Sequence, residues 1–150
     1  MLRYLNAAVF LTLFCLLGVL PEIADSNAAA PRASLYQRLG GEPVVTAVAN
    51  ELIDAVSADP HMNQSFAKVD LKRVKRLLAE QICSLTGGGC TYTGDSMAEV
   101  HAGHNIRDAE FFGLVEKMRV IMIRNGIALR ERNELLAILA PMKRDVVTRS

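Results

Sequence analysis

His61, His101 and His104 are the only histidines of the chain, and two of its three cysteines, Cys83 and Cys90, flank Gly87, Gly88 and Gly89. These few residues bound the chemistry on offer. No Ser/His/Asp order, Walker-type glycine loop or second pair of zinc ligands accompanies them. His101 has the most suggestive surroundings: a short segment between Ser96 and Gly103, with Met97 and Val100 beside it, following a long segment with an uninterrupted apolar face. One imidazole set against an apolar face suits a single axial bond to the metal of a planar macrocycle, with the other side left for a small gas. The bland alternative is a satisfied packing histidine, and spacing alone does not exclude it. His104, beyond Gly103, reads as a solvent-facing corner residue, and His61, after Asp59-Pro60, as exposed.

In an oxidising compartment a cysteine pair around a flexible turn is a disulfide candidate, so Cys83 and Cys90 are either bridged or two free thiols, one of them in a helix. The elements that must position these groups are all helical. Ser34 caps a short helix ending at Gly40-Gly41; the next starts near Pro43, and its Val44, Val48, Leu52 and Val56 form one stripe until Asp59-Pro60. Asp70 caps a long helix with Leu71, Val74, Leu78, Ile82 and Leu85 on one face, closed by the glycine run. Asp95 or Ser96 caps the brief His101 helix. Asp108 opens another long one through Phe111, Leu114, Met118 and Met122, and a last helix runs from about Arg130 to Val147, kinked by Pro141. The fold class is all-α.

The amino terminus has its own character. Arg3 precedes an apolar run from Ala7 to Leu20, then Pro21, a polar stretch and Ala28-Ala29-Ala30. This is the layout of a secretory signal, which assigns residues 1–30 to a signal peptide and 31–150 to the folded domain, exported and periplasmic. The run falls short of the roughly 20 residues of a comfortable span, and the alternative is an uncleaved membrane anchor over 7–20. Cleavage after Ala28 removes Arg3, Glu22 and Asp25, one positive and two negative charges, and takes the formal charge from +1 to +2. So small a balance gives no footing for nucleic acid. The one basic cluster, Lys72, Arg73, Lys75 and Arg76, reads first as the solvated side of a helix.

The ordered set of Leu35-Tyr36-Gln37-Arg38-Leu39-Gly40-Gly41, Ala58-Asp59-Pro60, Phe66, the glycine run through Tyr92-Thr93-Gly94, Met97 to Ile106 and Leu139-Ala140-Pro141 resembles the group I truncated haemoglobins. The likeness covers Leu35 to Val147, and Tyr92-Thr93-Gly94 followed by His101-Ala102-Gly103 is its most specific part. It implies a truncated globin-like two-over-two sandwich around haem b, with helices 43–58 and 70–86 paired against 108–125 and 130–147. It places His101 on the axial iron ligand and Phe66 against the haem face. Ile53, Val74, Leu78, Tyr92, Met97, Ile106 and Phe111 complete the implied haem pocket, and Arg73, Lys75 or the Tyr92 hydroxyl would meet the propionates.

The departures from the family bear most on function. Where well-known members carry a tyrosine and a glutamine that hydrogen-bond dioxygen, this chain aligns Ile53, with Leu52 before it, and Val74 and Leu78, with Leu77 at a position that is an iron ligand in some relatives. Gln81 is the nearest polar candidate, one helical turn from Leu78. The distal side therefore reads as apolar. A donor favours dioxygen, which takes on negative charge as a ligand, far more than carbon monoxide. The expectation is a gas binder of weak or fast-releasing oxygen affinity, with carbon monoxide or nitric oxide comparatively favoured. The alternatives are a nitric oxide-detoxifying or peroxidase-like enzyme served by an unidentified reductase, a haem or electron carrier, or a structural helical module. Peroxidase chemistry wants a distal acid–base residue, and none is visible.

Overall fold

The computed structural model describes residues 32–149; the signal or anchor assigned to 1–30 lies outside the described residues. The unit that begins at Arg32 has its own buried core, and among the described residues there is no strand. Its helices are α1 (Leu35–Arg38), α2 (Gly41–Ser57), α3 (Leu71–Leu85), α4 (Met97–His101), α5 (Asp108–Arg124), α6 (Leu129–Leu139) and α7 (Lys143–Val146). No helix among the described residues is long and apolar enough to cross a membrane.

Local chemistry sets most of these boundaries. Ser34 and Gln37 form a capping box at α1, the Ser34 hydroxyl accepting from the Gln37 N–H at 3.2 Å and the Gln37 side-chain oxygen from the Ser34 N–H at 3.1 Å. Gly40, with φ of 107°, starts α2 in a left-handed conformation, and a Cβ there would overlap Val44. Asp70 caps α3 by accepting from the Arg73 N–H at 3.2 Å. Ser96, not Asp95, caps α4, in a second box with Glu99. The helix expected over 130–147 is not one kinked helix. α6 ends at Leu139, a 3-10 turn spans Ala140–Met142, and α7 resumes at Lys143. Pro141 has no N–H to give, and its ring crowds the carbonyl one turn back, which interrupts the α-helical ladder here.

The α2–α3 and α5–α6 pairs form the two layers, and α2 also packs on α5. Val45, Val48, Leu52, Ile53 and Val56 of α2 meet Ile82 of α3, Met118, Ile121 and Met122 of α5, Ile127, and Leu135 of α6 in one buried cluster. Ion pairs staple its edges. Lys75 reaches Asp54 at 2.6 Å, Lys117 reaches Asp59 at 2.8 Å, Arg124 bonds Glu51, and Arg38 holds both Glu131 and Glu134. These pairs are partly solvated and fix register more than they stabilise. Burial carries the stability: Leu135→Ala is expected to cost about 2–5 kcal/mol, read from the urea unfolding midpoint.

Candidate functional site

His101 is the last residue of α4, a helix of little more than one turn that packs chiefly on α7. The half-buried ring places Nδ1 2.7 Å from the backbone carbonyl of Met97. A carbonyl can only accept, so Nδ1 carries the proton and donates, and Nε2 keeps its lone pair. Burial of the ring is the main cause that pushes the His101 pKa below the usual histidine value; His104 adds to this, and the bond to Met97 opposes it. The lowered pKa favours the neutral ring, and the bond to Met97 selects the tautomer in which Nε2 keeps the lone pair. Met97, placed by the sequence beside the ring, acts here through its backbone. The signal lay in the spacing, since the residue one turn before a helix-terminal histidine offers its carbonyl to Nδ1.

The far end of α4 is tied down as well. Ile106 N–H donates to the Thr148 hydroxyl at 3.0 Å, and the Thr148 and Arg149 N–H groups both donate to the Ile106 carbonyl at 3.0 Å. The turn after His101 is therefore fixed to the chain segment beyond α7. His104 and His61 are exposed, as expected.

The apolar residues assigned to the pocket fall into two groups. Val74 and Leu78 of α3, Phe66 of the 3-10 turn Asn63–Phe66, Met97, Ile106 and Phe111 are half-buried. Ile53 is fully buried within the core, with Val74, Leu78 and Phe66 packed against that core. On α3 only Ile82 and Cys83 are buried, so the protein itself covers the Leu71–Leu78 face only in part, and α4 has no fully buried residue. A concavity of about 410 Å³ opens at one end of this face, lined by Ser57, Asn63, Gln64, Phe66, Ala67 and Leu71. His101 does not line that concavity; half-covered aliphatic and aromatic side chains and an oriented imidazole are nonetheless the residue types that a flat apolar macrocycle with a central metal requires. The residues present fit such a group.

The polar rim is less uniform than the sequence suggested. The Tyr92 hydroxyl donates to the Asp95 carbonyl at 2.9 Å and packs over Gly94, so its proton shapes its own loop. Burial, then Asp95 and Glu80, push its pKa up, against the pull of the nearby Arg73 charge. Lys75 is engaged with Asp54, which leaves Arg73 as the exposed cation of the three candidates. Glu80 is a residue the sequence reading missed. Its carboxylate accepts from the Thr93 hydroxyl at 2.8 Å and from Arg76, pinning the Tyr92 loop to α3. Glu80 and Thr93 are far apart in sequence, and no local pattern links them.

Cys83 and Cys90 are bonded in the structure, with Cα atoms 5.7 Å apart, joining the end of α3 to the same loop. Gly88 lies between them so close to Cys83 and the Tyr36 ring that a Cβ would collide with both. Closing so short a loop is expected to contribute about 2–3 kcal/mol. Cys90→Ser should lower the urea midpoint accordingly, and thiol reductant should then have no further effect.

The family described as bacterial-like globin matches residues 34–148. Among curated relatives, a group 1 truncated hemoglobin GlbN of Mycolicibacterium paratuberculosis is 29% identical over 79% of this chain and 88% of its own length. One from Tetrahymena pyriformis is 24% identical over 76% of this chain and 94% of its own. Among solved structures, the Fe(III) form of the Tetrahymena pyriformis truncated hemoglobin superposes with a TM-score of 0.72 at 23% identity, covering 77% of this chain and 98% of that one. The cyanomet 2/2 hemoglobin of Synechococcus with covalently attached heme gives 0.71 at 24% identity, over 78% and 100%. These similarities show the two-over-two helical fold.

Proposed function

Because the chain belongs to the bacterial-like globin family, we propose that it binds haem b through His101 and a diatomic gas on the opposite, apolar side. One observation carries this reading: the Nδ1–H bond to the Met97 carbonyl, which fixes the His101 tautomer and leaves the Nε2 lone pair available for a metal. Bound haem would supply an iron with one position open to a gas. The chain's own residues do the rest. Val74, Leu78 and Phe66 offer apolar contact, and Ile53 backs them from the core. Arg73 stands on the exposed rim as partner for a propionate. None of Ile53, Val74 and Leu78 can donate a hydrogen bond from its side chain, so oxygen gains no polar partner from them and carbon monoxide loses none. Export to an oxidising compartment accords with the Cys83–Cys90 bond, which cytosolic reductants would open.

The test is a haemin titration of residues 32–150, followed in the Soret region. Uptake should saturate at one haem per chain, and the reduced band should shift with carbon monoxide. A chain that takes up none would end the proposal. The pH dependence follows from His101. Only the neutral ring ligates, and its pKa lies below the usual value, so the ligating form persists as the solution falls through the ordinary histidine range. Haem release on acidification should therefore set in at lower pH than an exposed histidine ligand would allow.

A further inference from the structure

The outer face of α5 carries side chains that the two-over-two layers do not use. Phe112, Val120 and Ile123 are 53%, 59% and 57% exposed, though each is large and apolar. Between them on the same face stand Glu116 and Arg119, which pair with each other at 3.3 Å. Phe112 has the Lys143 ammonium 4.7 Å from its ring centre and the Phe111 ring edge-on at 5.9 Å, and the rest of the ring is open. Scattered exposed apolar residues need no explanation, but a stripe along one helix face marks an interaction surface.

The order along the stripe selects its occupant. Read forward it runs apolar, negative, positive, apolar: Phe112, Glu116, Arg119, Ile123. Read backward from a second copy it is complementary to itself. We propose that α5 pairs antiparallel with α5 of a second copy about a twofold axis between Glu116 and Arg119. Phe112 then meets the partner's Ile123 at each end. At ~1.5 Å rise per residue these two ends stand about 16 Å apart. Each Glu116 meets the partner's Arg119 at the centre, with Val120 on the flank. This is the isologous arrangement of a C2 dimer, in which one patch serves both sides. An unrelated partner or a lipid surface would have no need of this palindromic charge order. Three apolar side chains and their charged neighbours fall short of the roughly 800 Å² per partner of a standard interface, so the pair is a weak, concentration-dependent one.

Sedimentation velocity on haem-loaded residues 32–150, from about 5 μM to about 500 μM, should show a monomer giving way to a dimer. Glu116→Arg and Arg119→Glu should each weaken association at least about tenfold, by setting like charges across the axis. The double exchange, Glu116→Arg with Arg119→Glu, should restore it. Circular dichroism and the Soret band serve as fold controls, and both are expected unchanged because the two side chains are solvated. A monomer throughout the range would overturn the pairing, as would a dimer indifferent to the single reversals or one that the double exchange fails to restore. A failed haem titration leaves this experiment intact, since association can be read on the haem-free chain.

Discussion

His101→Gly should weaken haem binding by at least about a hundredfold, and added imidazole should restore part of the lost affinity and the Soret band. Loss of a group that merely hydrogen-bonds a metal ligand costs about 10–100-fold in metal affinity, so loss of the ligand atom itself sets that upper end as a floor. The measurement is transfer of haem to an excess of apo-acceptor globin, timed by absorbance. The fold should survive the change. His101 is only half-buried, ends a helix of little more than one turn, and belongs to none of the buried core. An unfolding midpoint measured without haem therefore separates loss of the ligand from loss of the structure. Unchanged transfer times in the variant would mean that another residue holds the group.

The second large effect concerns the distal side. Leu78→Gln should slow oxygen release about tenfold or more while leaving carbon monoxide release within about twofold. A hydrogen bond to a charged partner is worth roughly 1.5–3 kcal/mol, and 1.4 kcal/mol is a factor of ten. Leu78 is the better site for this than Ile53. Leu78 is half-buried, so glutamine can be accommodated with its amide toward the pocket. Ile53 is sealed in the core, where tyrosine would add volume at a cost of about 1–3 kcal/mol and bring a hydroxyl in need of a partner. Stopped-flow replacement of oxygen by carbon monoxide gives the rates. Slow oxygen release in the unaltered chain would contradict the apolar reading before any variant is made.

Much of this was legible in the residues because it is local. Ser34, Asp70 and Ser96 cap the helices they precede, and the spacing of Val48, Leu52 and Val56 fixes the buried face of α2. His101 stood out by its type and by the glycine that follows its helix. What stayed hidden depends on tertiary packing. Nothing in the sequence says that Ile53 lies wholly inside the core while Val74 and Leu78, on the facing helix, do not. Nor does it show Glu80 gripping Thr93, or Thr148 closing on Ile106, since each pair joins distant parts of the chain. Pro141 was visible, but whether a proline bends a helix or divides it depends on what packs on either side. Here α7 separates from α6 and packs against α4, which supports the His101 helix.

The central claim is that one neutral imidazole, oriented by the Met97 carbonyl, is the sole protein ligand to the iron. Resonance Raman spectroscopy of the reduced, haem-loaded residues 32–150 without added gas tests it most directly. The expected result is a five-coordinate iron with an iron–histidine stretching band that disappears in His101→Gly and returns, shifted, with imidazole. A six-coordinate spectrum in the absence of gas, or an iron–histidine band that survives in His101→Gly, would contradict it.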